Sequence, residues 1–132
     1  MQRGIDMEYQ YIGKLNIKPL EDEFGFLTTD ELILTQERDN HIKNRHEADY
    51  NLFHKCVFDV ISLPDFILKD AKNKNTVMYI KYIEETNVNI VIRLSLQTEC
   101  SSYKNSIITS YRVGAKNLKR FIKNNKILYK KE

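Results

Sequence analysis

The segment His41-Ile42-Lys43-Asn44-Arg45-His46 places two imidazoles five residues apart with a guanidinium between them. Imidazole titrates near pH 6.5, so either histidine can take or return a proton near neutrality. On a helix, five residues turn through about 500°, which sets the two rings roughly 140° apart. That geometry excludes one metal ion held from one helix face. No glutamate follows the first histidine, so the segment is not the HExxH zinc motif. Both rings can still serve one substrate if His46 stands at the helix end. The same spacing also fits two solvent-facing histidines.

A second set is cationic. Lys81 and Arg93 fall within strand-like runs, and Arg93 interrupts an otherwise regular alternation. An ammonium or guanidinium on an open sheet face can hold a phosphate and stabilise a dianionic phosphorane. A third set is Thr109-Ser110-Tyr111, whose hydroxyls can bond a phosphate or orient a base. Ile107, Thr109, Tyr111 and Val113 share one parity, and Ser106, Ile108, Ser110 and Arg112 the other. Alternation alone leaves open which hydroxyl faces a cleft. There is no Walker loop, GxGxxG or GxSxG, so nucleotide-cofactor enzymes and serine hydrolases have no support. Cys56 lies among Phe53, Val57 and Val60 and reads as a small core residue, while Cys100 falls in a loop. Neither belongs to a CxxC or to a zinc-ligand spacing. No metal and no cofactor are expected, and the compartment reads as reducing. His54, beside the core row, is expected to be a partly exposed structural residue.

These groups need elements to carry them. Residues 9–17 alternate as a strand, and Pro19 with the Glu-Asp-Glu-Phe-Gly cluster is expected to end it. Leu32–Leu34 form a short apolar step. Thr35 reads as an N-cap for a helix from Gln36 to about His46, with Glu37 facing its positive end. That helix holds one aliphatic residue, Ile42, flanked by Arg38, His41 and Arg45. A helix kept only for packing would place Leu or Val there. Leu52, Phe53, Cys56, Val57, Val60 and Ile61 mark the main core helix, stopped by Pro64. Strands are expected at 66–69, 77–83, 89–96 and 106–113, with a turn at 84–87 or 86–89. A short helix at 115–123 buries Leu118, Phe121 and Ile122 and displays Lys116, Lys119, Arg120 and Lys123. The chain then runs into a possible edge strand, Lys-Ile-Leu-Tyr-Lys-Lys. Helices followed by a run of strands predict an α+β fold: N-terminal helices packed on one face of a four- to five-stranded antiparallel sheet. The opposite face is expected to carry Tyr79, Lys81 and Arg93.

Length bounds the rest. One hundred and thirty-two residues suit a single domain. At 42% hydrophobic and 30% charged, the chain reads as an ordinary globular protein and not a disordered one. No apolar run reaches the ~18–20 residues of a membrane helix, and the N-terminus lacks a secretory core. The net charge of +3 conceals a split. From Lys104 onward, nine basic residues face one acidic residue, leaving +8, while the preceding 103 residues carry −5. A basic end on an acidic body suits polyanions, and suits equally a solvated helix face with a basic tail.

The stretches LILTQERDNHIKNRH, YKNSIITSY and KRFIKNNKILYKK resemble the phage- and toxin-associated nuclease domains grouped with barnase, EndoU, the tRNA-cleaving colicins and the RelE-type toxins. The resemblance runs from about Leu32 to Lys131, which leaves 1–31 as an N-terminal extension or strand and 32–132 as the core of a single nuclease-like domain. It implies metal-independent RNA cleavage, in which a base activates the ribose 2′-OH, an acid protonates the leaving 5′-oxygen and cations hold the phosphorane. It places His41 and His46 in the site, completed from the sheet by Arg93 and the pair Thr109/Ser110. Arg45, Lys81, Lys104, Arg112, Lys119 and Lys130 are then the cations expected to hold the RNA. Relatives often follow the second histidine with proline. Glu47 stands there instead and could raise the His46 pKa or repel phosphate.

The expected function is an endoribonuclease, a toxin or phage-borne effector acting in the cytoplasm on tRNA or another structured RNA, away from membranes. The resemblance also implies a cognate immunity protein or antitoxin. Two other readings fit the composition. A non-catalytic nucleic-acid-binding module needs only the basic end and exposed tyrosines. A protein-interaction module would use the acidic body around Glu21, Asp22, Glu23, Asp30 and Glu31.

Overall fold

Thr35 begins its helix as its residue type favours: its Oγ1 accepts the N–H of Arg38 at 3.2 Å. The computed structural model describes residues 8–45, 47–99 and 104–132, so His46 and Cys100 lie outside the described residues. The elements are β1 (Tyr9–Lys14), α1 (Lys18–Phe24), β2 (Glu31–Thr35), α2 (Gln36–Arg45), α3 (Glu47–Ser62), β3 (Phe66–Lys69), β4 (Thr76–Ile83), β5 (Thr86–Arg93), β6 (Asn105–Val113), α4 (Ala115–Asn124) and β7 (Lys126–Lys130).

The fold is α+β, but the sheet is larger than expected. Seven strands run in the order β1-β2-β6-β5-β4-β3-β7, in place of four or five. The sheet is also mixed. β2 and β6 pair in parallel, and the other neighbours are antiparallel. Parallel neighbours need a long crossover, which residues 36–104 supply. β1 and β7 form the two edges. Residues 18–24, read from sequence as a strand terminator, make the short helix α1. Pro19 sits in its first turn, where a fixed φ and a missing N–H cost nothing, and Leu20 is fully buried. The β4–β5 hairpin turns on Glu84 and Glu85 alone, with φ of 51° and 67°. Two left-handed residues give the two-residue turn whose twist matches the strands. β5 therefore begins at Thr86 and ends at Arg93, earlier than the alternation suggests.

Each sheet face has its own core. α3 buries Phe53, Cys56, Val57, Val60 and Ile61 against Ile67, Val77, Tyr79, Val88, Ile90 and Ile92, and α2 adds Ile42. Burial pushes the Cys56 thiol up to about 11, consistent with a packing role. On the opposite face Leu68, Met78, Ile80 and Val91 are covered by Leu118, Phe121 and Ile122 of α4. Helices thus lie on both faces, and α4 leaves only part of the second one open. Among the described residues no helix is long and apolar enough to cross a membrane.

Candidate active site

β2 pairs with β6 only at Leu32↔Asn105 and Ile33↔Ser106. Asn105 secures this junction. Its Nδ2 donates to the carbonyls of Thr29 (2.8 Å) and Glu31 (2.9 Å), and its Oδ1 accepts the Ser95 N–H at 2.9 Å. Beyond it the chain turns into α2, which packs along β6 in the place a further strand would take.

The alternation of β6 changes at a bulge. Val91 pairs with Thr109 and Ile92 with Ile107, so Ile108 is an extra residue. Ile108 and Thr109 consequently turn to the same side, with Val91. Tyr111, opposite Asn89, shares that face, which is the α4 face. Ser110 pairs with the core residue Ile90 and points beneath α3, only 5% exposed. Arg112 lies on that same α3 side, where its Nε meets Asp49 of α3 at 2.5 Å. The structure therefore separates the hydroxyl pair: Thr109 and Ser110 stand on opposite faces.

α2 brings its polar flank to this edge. Ile42 is buried at 1% exposure, whereas His41 and Arg45, one turn apart, are exposed. Asp39 fixes the helix against α3 by accepting from the Tyr50 hydroxyl at 3.2 Å and pairing with His54 Nε2 at 2.9 Å. The Tyr50 and His54 rings meet with centroids 4.5 Å apart, tilted by 58°. His54 is thus a clamp between helices, in keeping with a structural role. Arg45 is near enough for its charge to act on Tyr111, as a lesser influence than the adjoining Asn89 side chain. Burial is the main influence on that phenol and raises its pKa, so Tyr111 stays a neutral O–H donor through the physiological range.

The remaining cations divide. Arg93 lies on the second face opposite Ser106, and its Nη2 donates to Glu99 Oε2 at 2.9 Å. Five residues of strand, about 16 Å, separate Ser106 from Tyr111, so Arg93 serves the far end of the groove. Lys81 belongs elsewhere. It pairs with Val88 on the α3 face and donates to the Leu63 carbonyl at the end of α3, at 2.7 Å. Tyr79 is likewise on the α3 face and buried at 1% exposure. The expectation that both would share an open face with Arg93 is corrected by the register of β4. Lys104 is tied to Glu31. Lys119 and Lys130 are exposed and have no ion pair among the described residues. His46 lies outside the described residues.

Two residues gain weight that sequence reasoning did not give them. Asn89 is fully buried in mid-strand, its side chain within reach of Tyr111 but making no hydrogen bond of good geometry among the described residues. Its neighbour on the same face, Tyr111, carries more than its place in the hydroxyl run Thr109-Ser110-Tyr111 suggests. Thr109 Oγ1 is also buried without a partner. Buried polar groups are nearly always satisfied, and exceptions concentrate at functional positions. The one available signal was Asn89 itself, a polar residue inside the apolar run Val88–Ile92. The second face therefore carries the Tyr111 phenol over the buried Asn89 amide and Thr109 hydroxyl, with Arg93 at its far end, and α2 adds the exposed His41 and Arg45. Such a set can bind a phosphodiester, donate to its oxygens and exchange a proton. Among the described residues no three His, Cys, Asp or Glu side chains cluster as a metal site.

The family described as phage-Barnase-EndoU-ColicinE5/D-RelE like nuclease3 matches residues 10–117. The match begins within β1, takes in every residue of the groove named above and ends within α4. No curated protein and no solved structure matches the chain.

Proposed function

The chain belongs to the phage-associated barnase–EndoU–colicin E5/D–RelE-like nuclease family, and from that premise we propose that it is an endoribonuclease working by internal transfer. The ribose 2′-OH attacks the adjacent phosphorus, the 5′-oxygen leaves, and a 2′,3′-cyclic phosphate and a 5′-hydroxyl result. The nucleophile is the substrate's own hydroxyl, so this route needs no metal to generate it.

One observation supports this reading above the others. α2 gives up its apolar flank: Ile42 is its one buried residue, and His41 and Arg45 stand exposed on a helix that packs along β6, the strand that carries Tyr111. In this mechanism His41 exchanges the proton with the 2′-OH or the leaving oxygen. Arg45 and Tyr111 hold the non-bridging oxygens as charge builds on them, and Thr109, its hydroxyl buried, supports Tyr111 from the same face of β6. Arg93 grips the strand further along the groove. His46 is the candidate second proton carrier on the strength of the motif. Structured RNA such as tRNA is the proposed substrate, and the phage association of the family supports a toxin or effector role with a cognate inhibitor.

The test is incubation with total tRNA and rRNA in EDTA, beside a His41→Ala control. Fragments ending in 2′,3′-cyclic phosphate, reduced on the order of 10²–10⁴-fold in the control, are expected. RNA left intact at high protein concentration would overturn the proposal and favour a non-catalytic binding module.

A further inference from the structure

Beside Tyr111 the second face opens into a cavity of about 600 Å³, walled by the β3–β4 loop, β4, β6 and the last turn of α4. That volume is in the range of sites that enclose a small organic ligand and exceeds what a lone ion requires. Its floor is Met78 with the rings of Tyr111 and Phe121, and its rim carries Arg120, Asn124 and Asn73.

The walls are fixed from within. Asn125 donates from Nδ2 to the Phe121 carbonyl at 3.0 Å and accepts the Ala71 N–H at 2.8 Å, which locks α4 to the loop. Asp70, the acidic lining residue, accepts from the N–H groups of Lys72 (2.8 Å) and Asn73 (3.3 Å) and from Asn73 Nδ2 (2.9 Å). Its carboxylate is thus occupied in shaping the loop. Arg120 and Asn124 are exposed and make no hydrogen bond or ion pair among the described residues. The cavity therefore combines flat aromatic surfaces, amide groups and an uncommitted guanidinium. It also adjoins the proposed cleavage site, because Tyr111 belongs to both.

We infer that this cavity is a base-recognition subsite, which takes one unpaired nucleobase of the RNA, next to the cleaved bond, between Tyr111 and Phe121. Arg120 holds that nucleotide's phosphate at the rim, and the amides of Asn73 and Asn124 read the base edge. The inference rests on the ribonuclease reading for its substrate class. Stacking on an aromatic ring is sequence-tolerant and the amide groups add the choice of base. The subsite thus assigns a nucleotide preference at one position beside the cut.

Two measurements test it on the full chain. In the first, each of the four nucleoside 3′-monophosphates is titrated onto protein carrying ¹³C-methyl methionine. Saturable movement of the Met78 methyl resonance is expected with one or two of them, weakened about tenfold by Phe121→Leu, which keeps an apolar side chain on the floor. Arg120→Ala, an exposed change, should weaken the monophosphate and leave the corresponding nucleoside unaffected. In the second, cleavage sites are mapped on a pool of RNAs with randomised sequence. Wild type should favour one base at a fixed position, and Phe121→Leu should relax that preference while cleavage persists. Cleavage without any Met78 response, and with the preference unaltered in both variants, would overturn the subsite and leave the ribonuclease standing. Saturable nucleotide binding in a chain that leaves RNA intact would keep the cavity and overturn the ribonuclease.

Discussion

The guanidinium of Arg93 lies 2.9 Å from the carboxylate of Glu99, which also accepts the Leu96 N–H and an Asn75 amide hydrogen, each at 3.2 Å. Backbone and side-chain donors together lower the Glu99 pKa, with the Leu96 N–H the largest influence. Glu99 therefore stays ionised into acid and is placed to compete with any phosphate brought to Arg93. Glu99→Gln keeps a hydrogen-bonding side chain and removes the charge. RNA should bind that variant severalfold more tightly at low salt, and the gain should shrink as salt rises. Filter binding across a salt series, with Arg93→Ala expected to weaken RNA, checks it.

Asn89 invites a trade between stability and activity. A buried amide without partners costs about 1–3 kcal/mol. Asn89→Leu, similar in volume and wholly apolar, should raise unfolding stability by roughly 1–2 kcal/mol in urea titration. RNA cleavage should fall, because the amide borders Tyr111 in the groove. A variant that is less stable would show that the amide is satisfied in solution.

Thr35 connects a capping bond to the site. Thr35→Ala should cost about 1 kcal/mol of stability. Because the cap lies at the start of the helix that carries His41, kcat should drop while KM changes little. Amide hydrogen exchange should quicken in the first turn of α2 and remain unaltered in α3.

Lys81 separates fold from function. Its ammonium meets the end of α3, 3.9 Å from Asp65, on the face away from the groove. Lys81→Ala should lower stability and leave the salt dependence of RNA binding as in wild type. Arg45→Ala should do the reverse, reducing the slope of log affinity against log salt by about one.

Glu23 provides a pH signature. Its hydrogen bonds to Lys126 and Lys69 hold its carboxyl below the ordinary value of 4.5 and join α1 to β7 and β3. A depressed carboxyl stabilises the fold above its unfolded pKa, and that contribution is lost as pH falls through the folded one. Wild type should therefore exceed Glu23→Gln in stability at pH 7, and the difference should shrink at a pH below 4.5. Urea titrations at the two pH values check it.

What could be read along the chain was whatever local chemistry decides. The Thr35 cap, the α3 stripe ended by Pro64, and the α4 helix opened by Gly114 all depend on neighbours within a few residues. α1 escaped because Pro19 and the acidic run after it suit a turn as well as a first helical turn. The parallel β2–β6 pairing is nonlocal and leaves no mark in either strand. The bulge at Ile108 decides that Thr109 and not Ser110 faces the groove, and nothing in Ile-Ile-Thr-Ser announces it. The polar flank of α2 was legible by contrast, because Ile42 stands alone among charged neighbours. The packing of α2 along β6 was not, since it depends on where β2 leaves β6.

The two-residue turn at Glu84 and Glu85 has a consequence for how this sheet tolerates change. Eight consecutive pairs, from Thr76↔Arg93 to Ile83↔Thr86, are counted outward from it. One residue added there would shift β5 by a single step against β4. Asn89 and Arg93 would then turn into the hydrocarbon beneath α3, and Ile90 and Ile92 would come out where the RNA is expected to lie. The site is in this sense written in parity. Replacing either glutamate with Asn or Gly should be harmless or stabilising, while a residue inserted within β4 or β5 and not absorbed in a bulge or a longer turn should cost stability and chemistry together.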